Sequence, residues 1–346
     1  VVLPHARRQP SLGDDLLAGL RAGFGALPIT LLTEPYDTSP TQARAAVLAL
    51  LERGAAAIVG LFSYGQAMPL QADLAARRTP LIVADFGADA PRGAAGPWIF
   101  RNALNLWQTS HALGAWAATQ LGRRTVIVSS FYESGYDLHF AFRQAFEQAG
   151  GSVLDAPVTH GPAGNGLADA IARIRAARPD TAFALYSGNE AAEFAAAWRA
   201  AGLAGRLPLL GLAPLDAAAP GLLQAATLPW ATGLVTPASQ RFTRALQAGG
   251  RAPGAAALLG YDSGRLLAAA ARAGAPHSHA FRAAIATAAF DGPRGPTRVH
   301  PVTGHVAAPF YLRTPNGLQR LPPVDEQAAG VAAVPKTGWV QAYLCM

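Results

Sequence analysis

The chain has 346 residues, 51% hydrophobic and only 14% charged, too long for one ordinary domain and rich enough for two large cores. Its net charge of +7 is carried almost wholly by arginines scattered singly or in pairs, with Lys336 the lone lysine. No basic stripe forms, so a nucleic-acid partner is not expected, and no apolar run approaches the roughly 20 residues of a membrane-spanning helix. Cys345 is the only cysteine, which excludes an intrachain disulfide and a Cys/His metal cluster.

Residues 1–3 read as a strand, with no basic or leader-like stretch before them. Two locations fit that start: the cytoplasm, or an export compartment reached by a leader removed earlier. A helix over 11–24 follows, with Leu12, Leu16, Leu20 and Phe24 on one stripe. Residues 29–32 are expected as the next strand, then a helix over 41–53. A third strand, 57–59, ends at Gly60-Leu61-Phe62-Ser63-Tyr64-Gly65. After a helix through Leu70 and Leu74, a fourth strand, 81–83, ends at Asp85-Phe86-Gly87-Ala88-Asp89. Strands alternating with helices in this way predict an α/β fold, a doubly wound parallel sheet.

The pattern restarts after residues 98–102 with a helix over 106–121. The unit 124–151 is the clearest in the chain. Val126, Ile127 and Val128 suit a parallel strand buried on both faces, Asp137 offers an N-cap, and Leu138, Phe142, Ala145 and Ala149 share one helical face. Gly150 and Gly151 supply the stop. A strand near 153–154, a helix over 167–177, a strand over 181–186, a helix over 190–202 and a strand over 208–211 complete a second α/β lobe. Leu234 and Val235 read as a link back to the first lobe, whose later helices cover 242–249 and 260–274. Residues 293–311 change to a β-ribbon, 322–335 read as irregular, and 338–344 as a candidate strand.

The order of these motifs resembles the type I periplasmic ligand-binding proteins, in the Leu/Ile/Val-binding branch that feeds ABC importers. The residues carrying it are Gly13-Asp14-Asp15-Leu16-Leu17-Ala18-Gly19, Asp37-Thr38-Ser39-Pro40, Gly60 with Ser63, and Phe100-Arg101. Further marks are Tyr132 through Asp137, Pro179-Asp180, Gly260-Tyr261-Asp262 and Phe290-Asp291-Gly292-Pro293-Arg294-Gly295-Pro296. The likeness runs from residue 1 to about 313, and the tail beyond is longer than usual. It implies two parallel-sheet lobes joined by three crossover strands, closing on a small ligand like a hinged trap. The expected division is 1–103 with 234–295 against 104–233 with 296–346. The resemblance also implies a permease partner, an extracytoplasmic location and a monomer that binds without catalysis.

Ligands in open α/β sheets are held outside the carboxyl ends of strands, so the strand-end turns are the candidate site. Ser63, Tyr64 and Gly65 meet a helix N-terminus suited to a carboxylate, although Ser63 can equally cap that helix. Gly87, Ala88 and Asp89 end the fourth strand; Asp89 would repel a carboxylate unless it meets a cation or a donor. Tyr132, Ser134 and Tyr136 are the second-lobe contacts, with at least one tyrosine expected in the core. Ser187 and Glu190 end a later strand, and Glu190 can pair with an ammonium or favour its own helix dipole. Trp107 is a candidate floor, or simply core. Arg7 and Arg8 offer guanidinium forks, or a solvated surface. The ligand is expected to be an amino acid, or an aromatic or aliphatic carboxylate.

Enzyme readings have less support. Gly60-Leu61-Phe62-Ser63-Tyr64-Gly65 misses the spacing of a nucleophile elbow, and Gly161-Pro162-Ala163-Gly164-Asn165-Gly166 is not a dinucleotide cradle. No cofactor and no metal are expected. A hydrolase using the same cleft and a cytoplasmic sensor of the same fold are the alternatives.

Overall fold

The computed structural model describes residues 1–7, 9–90, 96–161, 166–231, 233–321, 324, 339 and 341–344. The first layer alternates β1 (Val2–Pro4), α1 (Leu12–Phe24), β2 (Glu34–Tyr36), α2 (Pro40–Glu52), β3 (Ile58–Leu61), α3 (Tyr64–Ala67), α4 (Gln71–Arg77), β4 (Leu81–Asp85) and β5 (Ile99–Ala103). Its five strands lie in the order β2-β1-β3-β4-β5, all parallel. The expected strand over 29–32 is not formed. Val2 pairs with Glu34, so residues 29–32 precede the paired register and have no strand beside them. Pro35 is tolerated in β2 because that strand is an edge.

The second layer runs α5 (Leu106–Gln120), β6 (Arg124–Ser130), α6 (Leu138–Gln148), β7 (Ser152–Asp155), β8 (Val158–Thr159), α7 (Leu167–Ala177), β9 (Thr181–Leu185), α8 (Gly188–Ala200), β10 (Leu209–Leu212), α9 (Ala213–Ala218) and β11 (Ala225–Leu228). All of β6 but Arg124 is buried, as a run apolar on both faces requires. Leu138, Phe142 and Ala145 bury one face of α6, and Gly151 N–H closes that helix on Phe146 O at 2.9 Å. Asp137 stands at the N-cap position but makes no capping bond. Its Oδ2 instead accepts from Ala90 N–H at 3.0 Å, across to the end of the first layer.

The chain then returns with α10 (Pro237–Ala248), α11 (Ala255–Ala273) and α12 (His279–Ala286), and α11 packs along α1 and against β4 and β5. A small antiparallel sheet of β12 (Ala289–Gly292), β13 (Gly295–Val299) and β14 (Val306–Ala307) follows. Finally β15 (Phe310–Thr314) and β16 (Gly317–Leu321) add an antiparallel hairpin to β11, giving the order β16-β15-β11-β10-β9-β6-β7 with β8 beside β6. The elements α9, β11, α12 and β16 lie outside the sequence expectations, although α12 carries a local signal in its Ser278 cap and its buried Phe281 and Ile285. The candidate strand near 338–344 is not one: residues 341–344 are turn and bend, and 338 and 340 lie outside the described residues. So does most of the irregular stretch 322–335 and of the loop 161–166, as does Arg8.

The chain passes between the two layers three times, after β5, after β11 and before β15. A buried joint ties the end of β5 to α11 and to β15, whose Tyr311 hydroxyl donates to Arg294 O at 2.7 Å. Arg294, in the β12–β13 turn, donates to Asp262 of α11 at 2.9 Å, to Asn102 Oδ1 at 2.9 Å and to Ala103 O at 2.8 Å. Burial pushes the Asp262 carboxyl up and the guanidinium pulls it back. Gly260-Tyr261-Asp262 and Pro293-Arg294-Gly295, distant in sequence, are thus two halves of one knot.

Candidate functional site

The first wall grows from the ends of β3, β4 and β5. Ser63 turns the chain into α3 with a reciprocal cap: its Oγ accepts from Gln66 N–H at 3.3 Å, and Gln66 Oε1 accepts from Ser63 N–H at 2.9 Å. That cap uses the backbone donor of Ser63. Tyr64 follows with its hydroxyl buried and without a partner among the described residues. Its ring lies 5.3 Å beneath the Arg101 guanidinium and 5.4 Å edge-on from His305. Burial raises the Tyr64 phenol pKa and Arg101 counters it. Burial, with Arg101 nearby, holds His305 down at about 4.

Arg101 is the centre of this wall. It sits in β5, where all five residues are buried, and is 1% exposed. Its Nε and Nη2 donate to Asp85 Oδ2 at 3.3 and 3.1 Å, and Nη2 also donates to Asp89 O at 3.3 Å. Its Nη1 has no partner among the described residues. A cavity of about 490 Å³ opens here, lined among others by Ser63, Tyr64, Gly65, Asp89, Arg101 and Trp339.

The turn after β4 does different work. Gly87 has φ +70°, and a Cβ there would fall 2.6 Å from Asn105 N. Its carbonyl accepts Trp107 N–H at 2.9 Å, and Phe86 O accepts Leu106 N–H at 3.2 Å, so this turn seats the start of α5. Gly87 faces that junction, Ala88 is buried in the core, and neither is among the residues lining the cavity. Trp107 is 2% exposed and packs in the core, away from the cavity.

The second wall is aromatic and covered. Tyr136 O–H donates to Tyr132 O–H at 3.2 Å, and burial with that contact raises the Tyr136 phenol far above its ordinary value. Tyr343 completes a triangle with them, stacked on Tyr132 at 6.1 Å and edge-on to Tyr136 at 5.1 Å. Its hydroxyl donates to buried Glu133 at 2.9 Å and also bonds Ser187, which is 1% exposed. Ser134 closes its own turn, donating to Phe131 O at 2.7 Å. Glu190 sits half-buried in the first turn of α8, while Arg7 is exposed.

Of the expected residues, Ser63, Tyr64, Gly65 and Asp89 therefore meet at one cavity, and Tyr132, Tyr136 and Ser187 gather around Tyr343. Sequence reasoning missed Arg101, Gln66, Trp339 and Tyr343 as site residues, and noted Asp85 only as a strand end. Arg101 carried a usable signal: a charge inside an apolar strand must find a partner. Tyr343 carried none.

Comparison with known proteins agrees with this architecture. A protein named Leu/Ile/Val-binding protein homolog 6, from Brucella abortus, is 27% identical over 121 residues, 35% of this chain. The match spans only 31% of that relative's length. An ABC transporter substrate-binding protein from Sphaerobacter thermophilus superposes with a TM-score of 0.78 at 26% identity, covering 94% of this chain and 95% of its own. A solute-binding protein of an ABC transporter from R. palustris, solved with benzoate, gives 0.75 at 25%, covering 93% and 96%. The family described as periplasmic binding protein matches residues 8–317, and the chain belongs to that family.

Proposed function

We propose that this chain is the solute-binding component of an ABC importer, working outside the cytoplasm, and that it captures a small organic carboxylate without transforming it. One observation carries the ligand class. Arg101 Nη1 and the Tyr64 hydroxyl are both buried, both lack partners among the described residues, and both belong to residues lining the 490 Å³ cavity. Unpaired buried donors cost free energy, and a carboxylate supplies charge-assisted bonds to a guanidinium and a phenol together. Tyr64 lines the same cavity and suits an aromatic body, in keeping with the benzoate held by the R. palustris protein. Asp89 on the cavity favours a second reading, an amino acid whose ammonium meets that carboxylate.

In this proposal residues 1–103 with 234–295 close against 104–233 with 296–346, and the closed form, as a single chain, is what the permease partner receives. The boundary at 295 separates β12 from its paired strand β13, whereas the third crossing of the chain lies before β15. A thermal-shift and calorimetric screen of benzoate, hydroxybenzoates and amino acids tests the ligand class. A ligand at about 100 times its Kd adds roughly 2.7 kcal/mol of stability. Stabilisation by neutral sugars or amides and by no carboxylate would overturn the reading.

A further inference from the structure

The aromatic side of the cleft is filled by the chain itself. Tyr343 is 3% exposed, and its ring meets both walls: Phe86, just past β4, at 6.2 Å, and Tyr132 and Tyr136 on the opposite side. Its hydroxyl is satisfied by Glu133 and Ser187, and Leu344 N–H donates to Tyr132 O–H at 2.6 Å. Trp339 is held by the same turn. Its indole N–H donates to Tyr132 O at 2.7 Å, its backbone N–H to Gly135 O at 3.2 Å, and its ring stands edge-on to Phe131 at 5.6 Å. Contact with Gly135 is so close that a Cβ there would fall 1.7 Å from the indole. Trp339 also borders the open cavity beside Arg101.

We infer that Trp339 and residues 341–344 are an internal occupant of the ligand cleft, with the Tyr343 phenol standing where the body of a ligand would bridge the two lobes. The inference rests on the reading of this cleft as the ligand site. A phenol stacked among aromatic rings, bonded through its hydroxyl and touching both walls, makes the contacts by which a ligand holds a hinged trap shut. The described part of the segment joins no sheet; side chains and two backbone donors hold it, so its release breaks no strand ladder. A ligand whose carboxylate sits at Arg101 and whose body bridges the two lobes must therefore displace it, and the apparent affinity falls by the fraction of molecules whose cleft is free. The segment sets a threshold concentration for capture and keeps the empty lobes together.

Two full-length variants test this from opposite sides. Tyr343→Ala removes the ring. Gly135→Ala drives a methyl into the Trp339 indole and decides the matter if the first variant does not fold. Benzoate affinity is measured by calorimetry, and the shape of the ligand-free protein by small-angle X-ray scattering. Both variants are expected to bind benzoate about tenfold more tightly than wild type, and their ligand-free forms to have a larger radius of gyration. Weaker binding with unchanged scattering would make the segment a wall of the site and overturn the proposal. Expanded scattering without benzoate binding by any form would sustain the occupant while refuting the ligand class. Unchanged scattering without binding would overturn the occupant.

Discussion

Arg294 and Arg101 are both almost wholly buried, at 2% and 1% exposure, and both are paired with an aspartate. Around Arg294 all three guanidinium nitrogens are used, by Asp262, Asn102 and Ala103. Around Arg101 two are used, and Nη1 is left over beside an equally unpartnered Tyr64 hydroxyl. In the first arrangement every guanidinium nitrogen finds a partner inside the protein, while Asp262 Oδ1 has none among the described residues, and the group joins β5, α11 and the β12–β13 turn. The second is complete only when something else donates lone pairs. Burial of a charge is thus no guide to function by itself; the unfilled part of its coordination is.

The largest effect expected from this contrast is on stability. Arg294→Leu leaves Asp262 buried without its cation and should cost about 3–5 kcal/mol, read as a fall in the urea midpoint. Adding Asp262→Leu should restore much of that loss, because the pair is replaced by apolar packing. Arg101→Gln, in contrast, should lower benzoate affinity about 100-fold, equivalent to roughly 2.7 kcal/mol, in protein that remains folded. Undiminished binding would place the carboxylate elsewhere and dissolve the distinction between the two arginines.

His305 sharpens the contrast through pH. It is neutral in the folded protein down to about pH 4, whereas in the unfolded chain it takes a proton below about 6.5. Its stabilisation is therefore complete above pH 6.5 and is lost as pH falls toward 4. His139, also held near 4 by burial, adds to the same window. Each should remove roughly 2 kcal/mol between pH 7 and 4.5, about 5 kcal/mol together, and His305→Gln should flatten about half of that slope in urea titrations. The smallest effect belongs to Tyr64→Phe. Removing an unpaired buried hydroxyl should leave the melting temperature unchanged or slightly raised, while benzoate affinity falls about fivefold, near 1 kcal/mol.

Much of the fold was legible because its signals are local. The apolar run of β6, the stripe of α6 and its glycine stop are each written within a dozen residues, and all three form. The turn at Ser63, Tyr64 and Gly65 lies on the cavity, at a strand end of the kind that is visible in sequence. Gly87 and Trp107 were harder. The same strand-end signal marks a turn that borders the cavity and one that seats the next helix, and the approach of Asn105 to Gly87 is not written in the local sequence. Likewise, Asp137 stood where a cap belongs, yet its carboxylate is drawn to an N–H 47 residues away.

By itself, then, the sequence determined two sets of parallel α/β units and the order of motifs that marks the family, because periodicity and turn chemistry act over one or two turns of chain. The tertiary structure decided which buried charge is saturated and which is not, since the partners of Arg294 and Arg101 come from separate strands and helices. It also decided what lies against Tyr132, because Leu344 reaches that hydroxyl across 212 residues. No local pattern encodes such a contact: it exists only after the layers have packed and enclosed a space that one aromatic ring can fill.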